Sequence, residues 1–439
     1  MPRVLLLLPT QSWRAEALLS ACRRLCVEAT VGTDRPLVWA DRTPVRVISL
    51  DYARPGVAAE QVAEFSRRHP LAAVVGADDE TTVLAATFSA FLGLPHNPIG
   101  ALSAARDKLA QREALSDAGL PVPPFTRVWL DEDPKKIAEI IGFPCVVKPL
   151  RLSGSRGVMR ADDVASLGQA LHRLKALLAE VGACGEAAES AIVEAFVPGC
   201  EVAVEGLIAP GPGGIHLRGL AIFDKPDPLD GPFFEETIYV TPSRLPFHVQ
   251  AEILEVTEWA ATALGLQRGP VHAELRVNER GVCLIELAAR PIGGLCSRVL
   301  RFTDGPSLEE LVIRDALGMD TSAFSREPAS AGVMMLPIPG EGILERVEGH
   351  GEAAMVPGIE QVKITAHPGE RLVPFPEGSR YPGFLFARGD DPAVVEEALR
   401  AAHRKLRFIM RAPGTSETPA PEAGARFGVA PEDVAMESR

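Results

Sequence analysis

The stretch CVVKPLRLSGSRGV, residues 145–158, carries the sharpest structural signal in the chain. Its first part predicts a short buried strand that delivers Lys148. Its second part predicts a loop whose backbone N–H groups can close on phosphate oxygens without obstruction by side chains, with Ser153, Gly154, Ser155 and Gly157 as the candidate residues. The alternative is a surface turn with a solvated Lys148. The loop is not a Walker motif, because GxxxxGK[ST] is absent.

Residues 271–289 alternate apolar and polar side chains on both sides of a turn, which predicts a hairpin with one buried face. A three-residue loop over 279–281 would place Glu274 opposite Glu286 on the other face. Two facing carboxylates repel each other by roughly 0.2 to 1 kcal/mol unless a cation lies between them. Because Mg²⁺ prefers carboxylate oxygens, we interpret the pair as metal ligands, the alternative being two solvated glutamates.

Two further groups flank this hairpin in the sequence. Arg290 follows Glu286 by four residues, so its fork of donors is available for a carboxylate or a phosphoryl oxygen. Residues 192–204 read as strand, tight turn and strand, an edge that can present backbone groups to a purine. In this segment Glu194 or Glu201 is available for an amino group or ribose hydroxyls, whereas the plainer interpretation is an exposed hairpin.

The remaining chain predicts an α/β protein. Residues 1–99 alternate strands and helices in the β-α-β rhythm of a parallel, doubly wound sheet, with a first helix over 15–26 and the next strand over 45–50. No GxGxxG follows the first strand, which argues against hydride transfer. One helix is expected from about Gly100 to Gly119. The later units are expected at 100–190, 191–330 and 331–411, and the Pro-, Ala- and Glu-rich residues 412–439 predict a disordered tail.

Composition excludes several classes of function. The chain has 439 residues with 45 Lys plus Arg against 58 Asp plus Glu, a net charge of -13, so a basic nucleic-acid-binding surface is not expected. The longest apolar run, Val4 to Pro9, is far shorter than a membrane span, and with no secretory signal recognised we expect a cytoplasmic protein. The 7 cysteines form no CxxC or His/Cys cluster, which argues against disulfides or zinc.

The order of these pieces closely resembles the ATP-grasp superfamily. The pieces are Lys108 in Arg106-Asp107-Lys108-Leu109, the Lys148 strand with its Ser/Gly loop, the segment from Glu194 to Glu201, and Glu274, Glu286 and Arg290. The resemblance implies a Rossmann-like N-terminal domain, an α+β ATP-grasp fold and a smaller C-terminal subdomain. It covers nearly the whole chain up to Met410.

The resemblance also implies roles for individual residues. Lys108 and Lys148 would contact the ATP phosphates and adenine, and residues 153–157 would be the lid over the phosphates. Adenine would lie against Glu194 and the backbone near Phe196 and Val197, and the ribose against Glu201. Glu274 and Glu286 would bind Mg²⁺, or Mn²⁺ in its place.

One departure from the superfamily pattern narrows the resemblance. Many members carry Glu-x-Asn-x-Arg, whereas this chain reads Glu286-Leu287-Ala288-Ala289-Arg290, so an amide ligand is missing and one or two metal ions stay open. This version, and the segment 224–236 before the strand 237–240, look like the L-amino acid ligases, which make dipeptides. Segment 224–236 suits an ordered substrate loop, and a structural cover for the sheet is its alternative.

The predicted function is therefore an ATP-dependent carboxylate–amine ligase that proceeds through an acyl phosphate, with Arg290 and Lys148 as the catalytic residues. Its expected partners are small-molecule substrates, and a homodimer is the assembly to test. His272 is expected to be a packed or solvent-facing residue, with orientation of an intermediate as the alternative. Two rival functions stay open, a biotin-carboxylase-type carboxylase and a non-catalytic ATP-binding regulatory protein.

Overall fold

The structure, a computed structural model, describes residues 1–9, 12–34 and 45–413. The tail predicted over 412–439 lies outside the described residues apart from its first two positions. Within the described ranges the strands form four sheets. No helix there is both long enough and apolar enough to cross a membrane.

A parallel sheet and its helices make up the N-terminal unit. The sheet order is β3-β2-β1-β4, and the unit begins with β1 (Arg3–Leu7), α1 (Ala15–Arg24), β2 (Glu28–Thr33), β3 (Arg46–Ser49), α2 (Pro55–Arg68), β4 (Ala73–Gly76), α3 (Asp79–Leu92), α4 (Ile99–Arg106) and α5 (Lys108–Asp117). Gly76 ends β4 where a Cβ atom would lie 2.4 Å from the backbone of Thr81, so only glycine lets the first turn of α3 approach this closely.

Two details of this unit differ from the sequence prediction. Strand β2 was missed, although it pairs directly with β1. The single helix expected from Gly100 to Gly119 is two helices, because Asp107 is extended (φ -111°, ψ 114°) and its side chain accepts hydrogen bonds from Leu109 N and Ala110 N. This break makes Lys108 the first residue of α5.

A small antiparallel sheet forms the second layer, in the order β5-β8-β6-β7. Leucines of the long helix α7 pack against this sheet. The elements are β5 (Phe125–Trp129), α6 (Pro134–Ile141), β6 (Cys145–Pro149), β7 (Met159–Ala161), α7 (Val164–Glu180), α8 (Glu186–Glu189) and β8 (Ser190–Ala195). The predicted buried strand that carries Lys148 is confirmed as β6.

An eight-stranded sheet in the order β13-β12-β9-β10-β11-β14-β18-β16 is the largest element, and β17-β15-β19 form a three-stranded sheet. The elements are β9 (Cys200–Gly211), β10 (Gly214–Lys225), β11 (Ile238–Thr241), α9 (Phe247–Ala263), β12 (Gly269–Asn278), β13 (Gly281–Ala288), the 3-10 helix Cys296–Val299, α10 (Leu308–Ala316), β14 (Ser330–Met335), β15 (Gly342–Glu348), α11 (His350–Ala354), β16 (Ile359–Ile364), β17 (Arg371–Leu372), β18 (Gly383–Gly389), α12 (Pro392–His403) and β19 (Arg407–Arg411).

The connections between these sheets correct one prediction and refine another. The segment 192–204 is not a hairpin, because β8 belongs to the small sheet and β9 to the large one. The link between them passes so close to β12 that a Cβ atom on Gly199 would lie 2.3 Å from Val277 O. The proposed unit boundary at residues 330 and 331 falls within β14, and β14, β16 and β18 continue the large sheet.

Candidate active site

The hairpin β12–β13 places Glu274 directly opposite Glu286, as predicted. The predicted reason for this pairing is wrong. Near the turn Asn278 pairs with Gly281, which leaves a two-residue connection, and a bulge at Ile285 then shifts the register by one residue. The bulge restores the pairing that a three-residue loop would have produced.

Helix α5 holds this hairpin from its edge. The amide of Gln111 donates to Leu287 O at 2.7 Å and accepts from Leu287 N at 2.9 Å, and Arg112 donates to Leu284 O at 2.9 Å. These bonds satisfy backbone groups of β13, the edge strand of the large sheet. They also fix the start of α5, so that Lys108 Nζ lies 3.2 Å from Glu286 Oε1.

A second lysine, Lys225, pairs with Glu274 and with two further carboxylates beside it. Lys225 Nζ lies 2.8 Å from Glu201 Oε1 and 3.3 Å from Glu274 Oε1, and it also contacts Glu236. Lys225 and Glu201 are direct partners across β9 and β10. In the sequence, Lys225 stood only within the predicted loop 224–236. Its role becomes visible from the register of β9 and β10, which the sequence did not predict.

Burial and the charges of neighbouring residues together set the pKa values of these groups. For Glu236, burial and the charge of Glu274 outweigh Lys225 and raise its pKa to about 7. Burial also opposes ionisation of Glu274, but Lys225 and His272 hold its pKa well below the usual range. Burial opposes protonation of His272, yet Glu205, 2.5 Å from Nδ1, and Glu274 raise its pKa to about 9. His272 is therefore packed, the first of its two predicted placements, and its raised pKa favours the protonated form.

The carboxylates fit a hard divalent cation. Glu201, Glu236 and Glu274 each offer an oxygen within 4.8 Å of the others, but the ammonium of Lys225 already lies among them. Glu286 is partly exposed to the cavity and has one ammonium neighbour, Lys108. The opposed pair Glu274 and Glu286 is thus the better donor set, since it retains accessible oxygens of the type that Mg²⁺ prefers.

Lys148 is buried, which contradicts the solvated alternative. Its exposed fraction is 7%, and its ammonium pairs with Glu194, which is 2% exposed. Arg112 donates to the other oxygen of Glu194 from Nε at 3.1 Å and Nη2 at 2.9 Å. Burial disfavours the Glu194 carboxylate, but Arg112 and Lys148 lower its pKa nevertheless. Glu194 therefore positions Lys148 and has both oxygens engaged.

An aromatic and cationic stack borders the same side of the cavity. The Phe196 ring has the guanidinium of Arg160 4.5 Å from its centroid and that of Arg276 at 5.0 Å, while the Phe234 ring lies 6.4 Å away. Arg276 also donates to Val197 O at 2.8 Å and to Glu201 Oε2 at 2.9 Å. Arg276, which the sequence did not single out, thus holds Phe196, Val197 and Glu201, whereas Glu194 is held by Arg112 and Lys148.

The Ser/Gly loop is anchored to the C-terminal part of the chain. Gly157 N donates to Pro376 O at 2.9 Å, and Arg156 Nε donates to Glu377 O at 2.9 Å. A Cβ atom on Gly157 would lie 3.0 Å from the side chains of Leu174 and Leu177, so this glycine packs against α7. Ser153, Gly154 and Ser155 line the cavity, whereas Gly157 does not.

Arg290 reaches across to the N-terminal unit. Its Nε donates to Asp79 Oδ1 at 2.9 Å and its Nη1 to Pro291 O at 3.0 Å. Burial opposes the charge of Arg290, but the carboxylate of Asp79 raises the pKa of Arg290 above its usual value. Burial also opposes the charge of Asp79, but Arg290 lowers the pKa of Asp79. Sequence reasoning missed Asp79, whose only local signal is a Gly-Ala-Asp-Asp turn after a strand.

Most of these side chains line one cavity of about 320 Å³. Every predicted site residue lines it except Gly157, and residues of the N-terminal unit and of the segment 379–384 complete its wall. Asp79, Arg14, Glu236 and Arg276 line it as well, none of which was predicted to be a site residue. A cavity of this size with converging charges is typical of a small-molecule site.

Comparison with known proteins agrees with this architecture. The ATP-grasp domain profile matches residues 141–299, and the profile of L-amino acid ligase C-terminal domain 2 matches residues 334–411. An L-amino acid ligase structure from Bacillus licheniformis superposes with a TM-score of 0.79 at 25% identity, covering 94% of this chain and 99% of that one.

Two curated relatives extend the comparison. Protein y4rH of Sinorhizobium fredii, whose function is uncharacterised, is 24% identical over 85% of this chain and 76% of its own length. The alanine–anticapsin ligase of Bacillus subtilis is 30% identical over 46% of this chain, and the match spans 44% of that ligase's length. This chain thus combines an ATP-grasp domain with L-amino acid ligase C-terminal domain 2, and over nearly its whole length it is similar to a carboxylate–amine ligase of the ATP-grasp superfamily.

Proposed function

We propose that the protein joins two amino acids with ATP. A carboxylate oxygen of the first attacks the γ-phosphorus, the bond to the bridging oxygen breaks, and ADP leaves. The amine of the second then attacks the carbonyl carbon of the acyl phosphate, and phosphate departs with the bonding pair. The amine must lose a proton, and the product is a dipeptide.

The observation that carries this proposal is the convergence of three kinds of group on one cavity. Lys108 and Lys148 are ammonium groups suited to phosphates, Glu274 and Glu286 are opposed carboxylates, and Arg290 supplies a fork for a carboxylate. A protein that binds a nucleotide without catalysing a reaction needs neither the opposed carboxylates nor the guanidinium fork. Mg²⁺ held by Glu274 and Glu286 would neutralise charge on the phosphoryl group during transfer.

The chain's own residues account for the remaining requirements. Lys148 is held in one position by Glu194, and Lys108 by Leu152 O at 2.8 Å, so both charges are oriented before the nucleotide binds. Arg290, fixed by Asp79, orients the reacting carboxylate. The loop 153–155 shields the acyl phosphate from water. At the position of the usual amide ligand, Ala288 offers only a methyl group, so a second metal ion would need other oxygens.

The test is phosphate release from ATP and Mg²⁺ with all pairs of the standard amino acids, with products identified by mass spectrometry. The proposal predicts release that requires an amino acid and a product whose mass equals the two substrates less water. Bicarbonate-dependent release with carboxylation of biotin would instead establish the carboxylase. Saturable ATP binding without turnover on any pair would favour the regulatory protein.

A further inference from the structure

Arg14 is a buried arginine that forms no ion pair with any residue that the structure describes. Only 6% of the residue is exposed, and it lines the active-site cavity from the N-terminal unit. Its Nη2 donates to Pro291 O at 2.5 Å. Within the described residues no carboxylate oxygen lies within 4.0 Å of its guanidinium, whereas Arg290, beside it, has Asp79 at 2.9 Å. Burying an unpaired charge is costly, so such a group indicates an anion that comes from outside the chain.

The carboxylates whose charges act on Arg14 have other partners. Glu309 accepts from the Ser297 hydroxyl at 2.6 Å, Glu205 contacts His272, and Asp79 holds Arg290. Burial and the charge of Arg290 lower the pKa of Arg14, and the carboxylates offset this effect only in part. Two guanidinium groups, those of Arg14 and Arg290, thus donate to one carbonyl oxygen, Pro291 O. Of these two groups only Arg290 is paired directly with a described carboxylate, that of Asp79.

The backbone beside Arg14 also favours an anion. Arg14 is the N-cap residue of α1, and its own side chain does not cap this helix end, although Ser12 Oγ accepts from Arg14 N at 3.3 Å and the exposed Glu16 lies in the first turn. The first N–H groups of a helix and its dipole attract negative charge. Together with the unpaired guanidinium, this helix end gives the N-terminal wall of the cavity a net attraction for a carboxylate.

On these grounds we propose that Arg14 binds the carboxylate of the amine-donating amino acid, an inference that rests on the proposed function. The reacting carboxylate must lie beside the phosphates, where Glu286 is among the charges acting on Arg290. Arg290 is thus assigned to the reacting carboxylate, and Arg14, the second guanidinium on Pro291 O, is left for the carboxylate that the second amino acid keeps throughout the reaction.

Hydroxylamine separates the two substrate positions, because it attacks an acyl phosphate without carrying a carboxylate. Arg14→Gln should form hydroxamate from the acyl donor at the wild-type rate. With an amino acid as the amine, its KM should rise about 10- to 100-fold, the loss expected for a charge-assisted contact. The KM of the matching amino acid amide should not change, so the preference for acid over amide should disappear.

Matched variants keep the test decisive. Arg14→Lys should retain part of the preference for the acid, and Arg23→Gln, on the exposed face of the same helix, should behave as wild type. Parallel loss of hydroxamate and dipeptide formation, or equal loss with acid and amide, would overturn the inference and leave Arg14 as a support for Pro291.

A binding measurement distinguishes failure of this inference from failure of the proposed function. If the wild type forms neither hydroxamate nor dipeptide, the ligase proposal fails, and thermal shifts with L-alanine, L-leucine and L-phenylalanine against their amides still test the site. Stabilisation by the acids that vanishes in Arg14→Gln would support it. Equal shifts with acids and amides, or no shift at all, would refute it.

Discussion

Arg290 Nε donates to Asp79 Oδ1 at 2.9 Å, and this ion pair joins the end of the hairpin β12–β13 to the N-terminal unit. The carboxylate that pairs with Arg290 is Asp79 of the N-terminal unit and not Glu286, which lies only four residues before it. The contact places a fixed guanidinium in the cavity wall at the boundary of two units.

Arg290→Lys should retain ATP affinity and lose turnover, because a point charge cannot reproduce the fork that contacts Asp79 and a substrate carboxylate together. We expect a loss of about 10²-fold or more in kcat, the usual effect of removing one transition-state contact. Steady-state kinetics and calorimetric ATP titration measure the two quantities. Asp79→Asn should give a smaller loss, since it frees Arg290 without removing it. Equal loss of ATP affinity, turnover and melting temperature would show an anchor instead.

Glu286→Gln should abolish amino-acid-dependent phosphate release while the protein stays folded, because the amide keeps the volume and removes the charge that opposes Lys108. Phosphate release and circular dichroism check the two halves of this statement. Glu279→Gln, in the exposed turn of the same hairpin, is the matched control and should be active. Wild-type turnover of Glu286→Gln would remove Glu286 from the metal site.

Lys148→Gln should weaken ATP binding and also lower stability by about 1 to 3 kcal/mol, because it leaves the buried Glu194 with Arg112 alone. Lys136→Gln, at an exposed position on α6, should alter neither quantity. Calorimetry with ATP and urea unfolding give the two values. An ATP affinity that does not change, even with lower stability, would make Lys148 purely structural.

Glu377→Gln should uncouple ATP consumption from dipeptide formation. The carboxylate of Glu377 accepts hydrogen bonds from Arg173 Nε at 2.9 Å and Nη2 at 2.8 Å, and its backbone carbonyl accepts one from Arg156. Glu377 therefore joins the Ser/Gly loop to the C-terminal wall of the cavity. The ion pair is partly exposed, so stability should change little. The ratio of phosphate to dipeptide should rise as water reaches the acyl phosphate. Glu341→Gln, which breaks the exposed pair with Arg371, is the control, and a ratio of one in both variants would contradict the role.

Asp315 should make stability fall as pH rises from about 4 to 6. Burial raises its pKa to about 6 against the influence of Arg268 and Arg218, so between these values the folded state binds more protons than the unfolded state. The stability that protonation contributes is complete below the unfolded pKa of about 3.9 and is lost as pH rises through the folded value, a change of about 3 kcal/mol. Asp315→Asn should flatten this part of the urea-unfolding profile. An unaltered slope would show that Asp315 titrates normally.

The sequence by itself determined the features that depend on neighbours along the chain. The run of apolar residues before Lys148 specified β6, and alternation over 271–289 specified the hairpin, because side chains alternate between the two faces of a strand. The order of these pieces was enough to identify the ATP-grasp fold. Even so, the pairing of Glu274 with Glu286 was predicted from a three-residue loop, whereas the structure has a two-residue connection. A bulge at Ile285 shifts the register by one residue and produces the same pairing.

Only the tertiary structure decided which distant residues share the cavity. Asp79 and Arg14 line the cavity, and Lys225 pairs with carboxylates that line it, but the importance of all three comes from partners about 24 to 277 positions away. Likewise, the sequence showed two strands around Gly199 but not that they belong to different sheets. Local patterns record which face of an element is buried. Burial and charge compensation across sheets arise only when the units pack, and they determine which charges are paired within the protein and which, like Arg14, have no such pair.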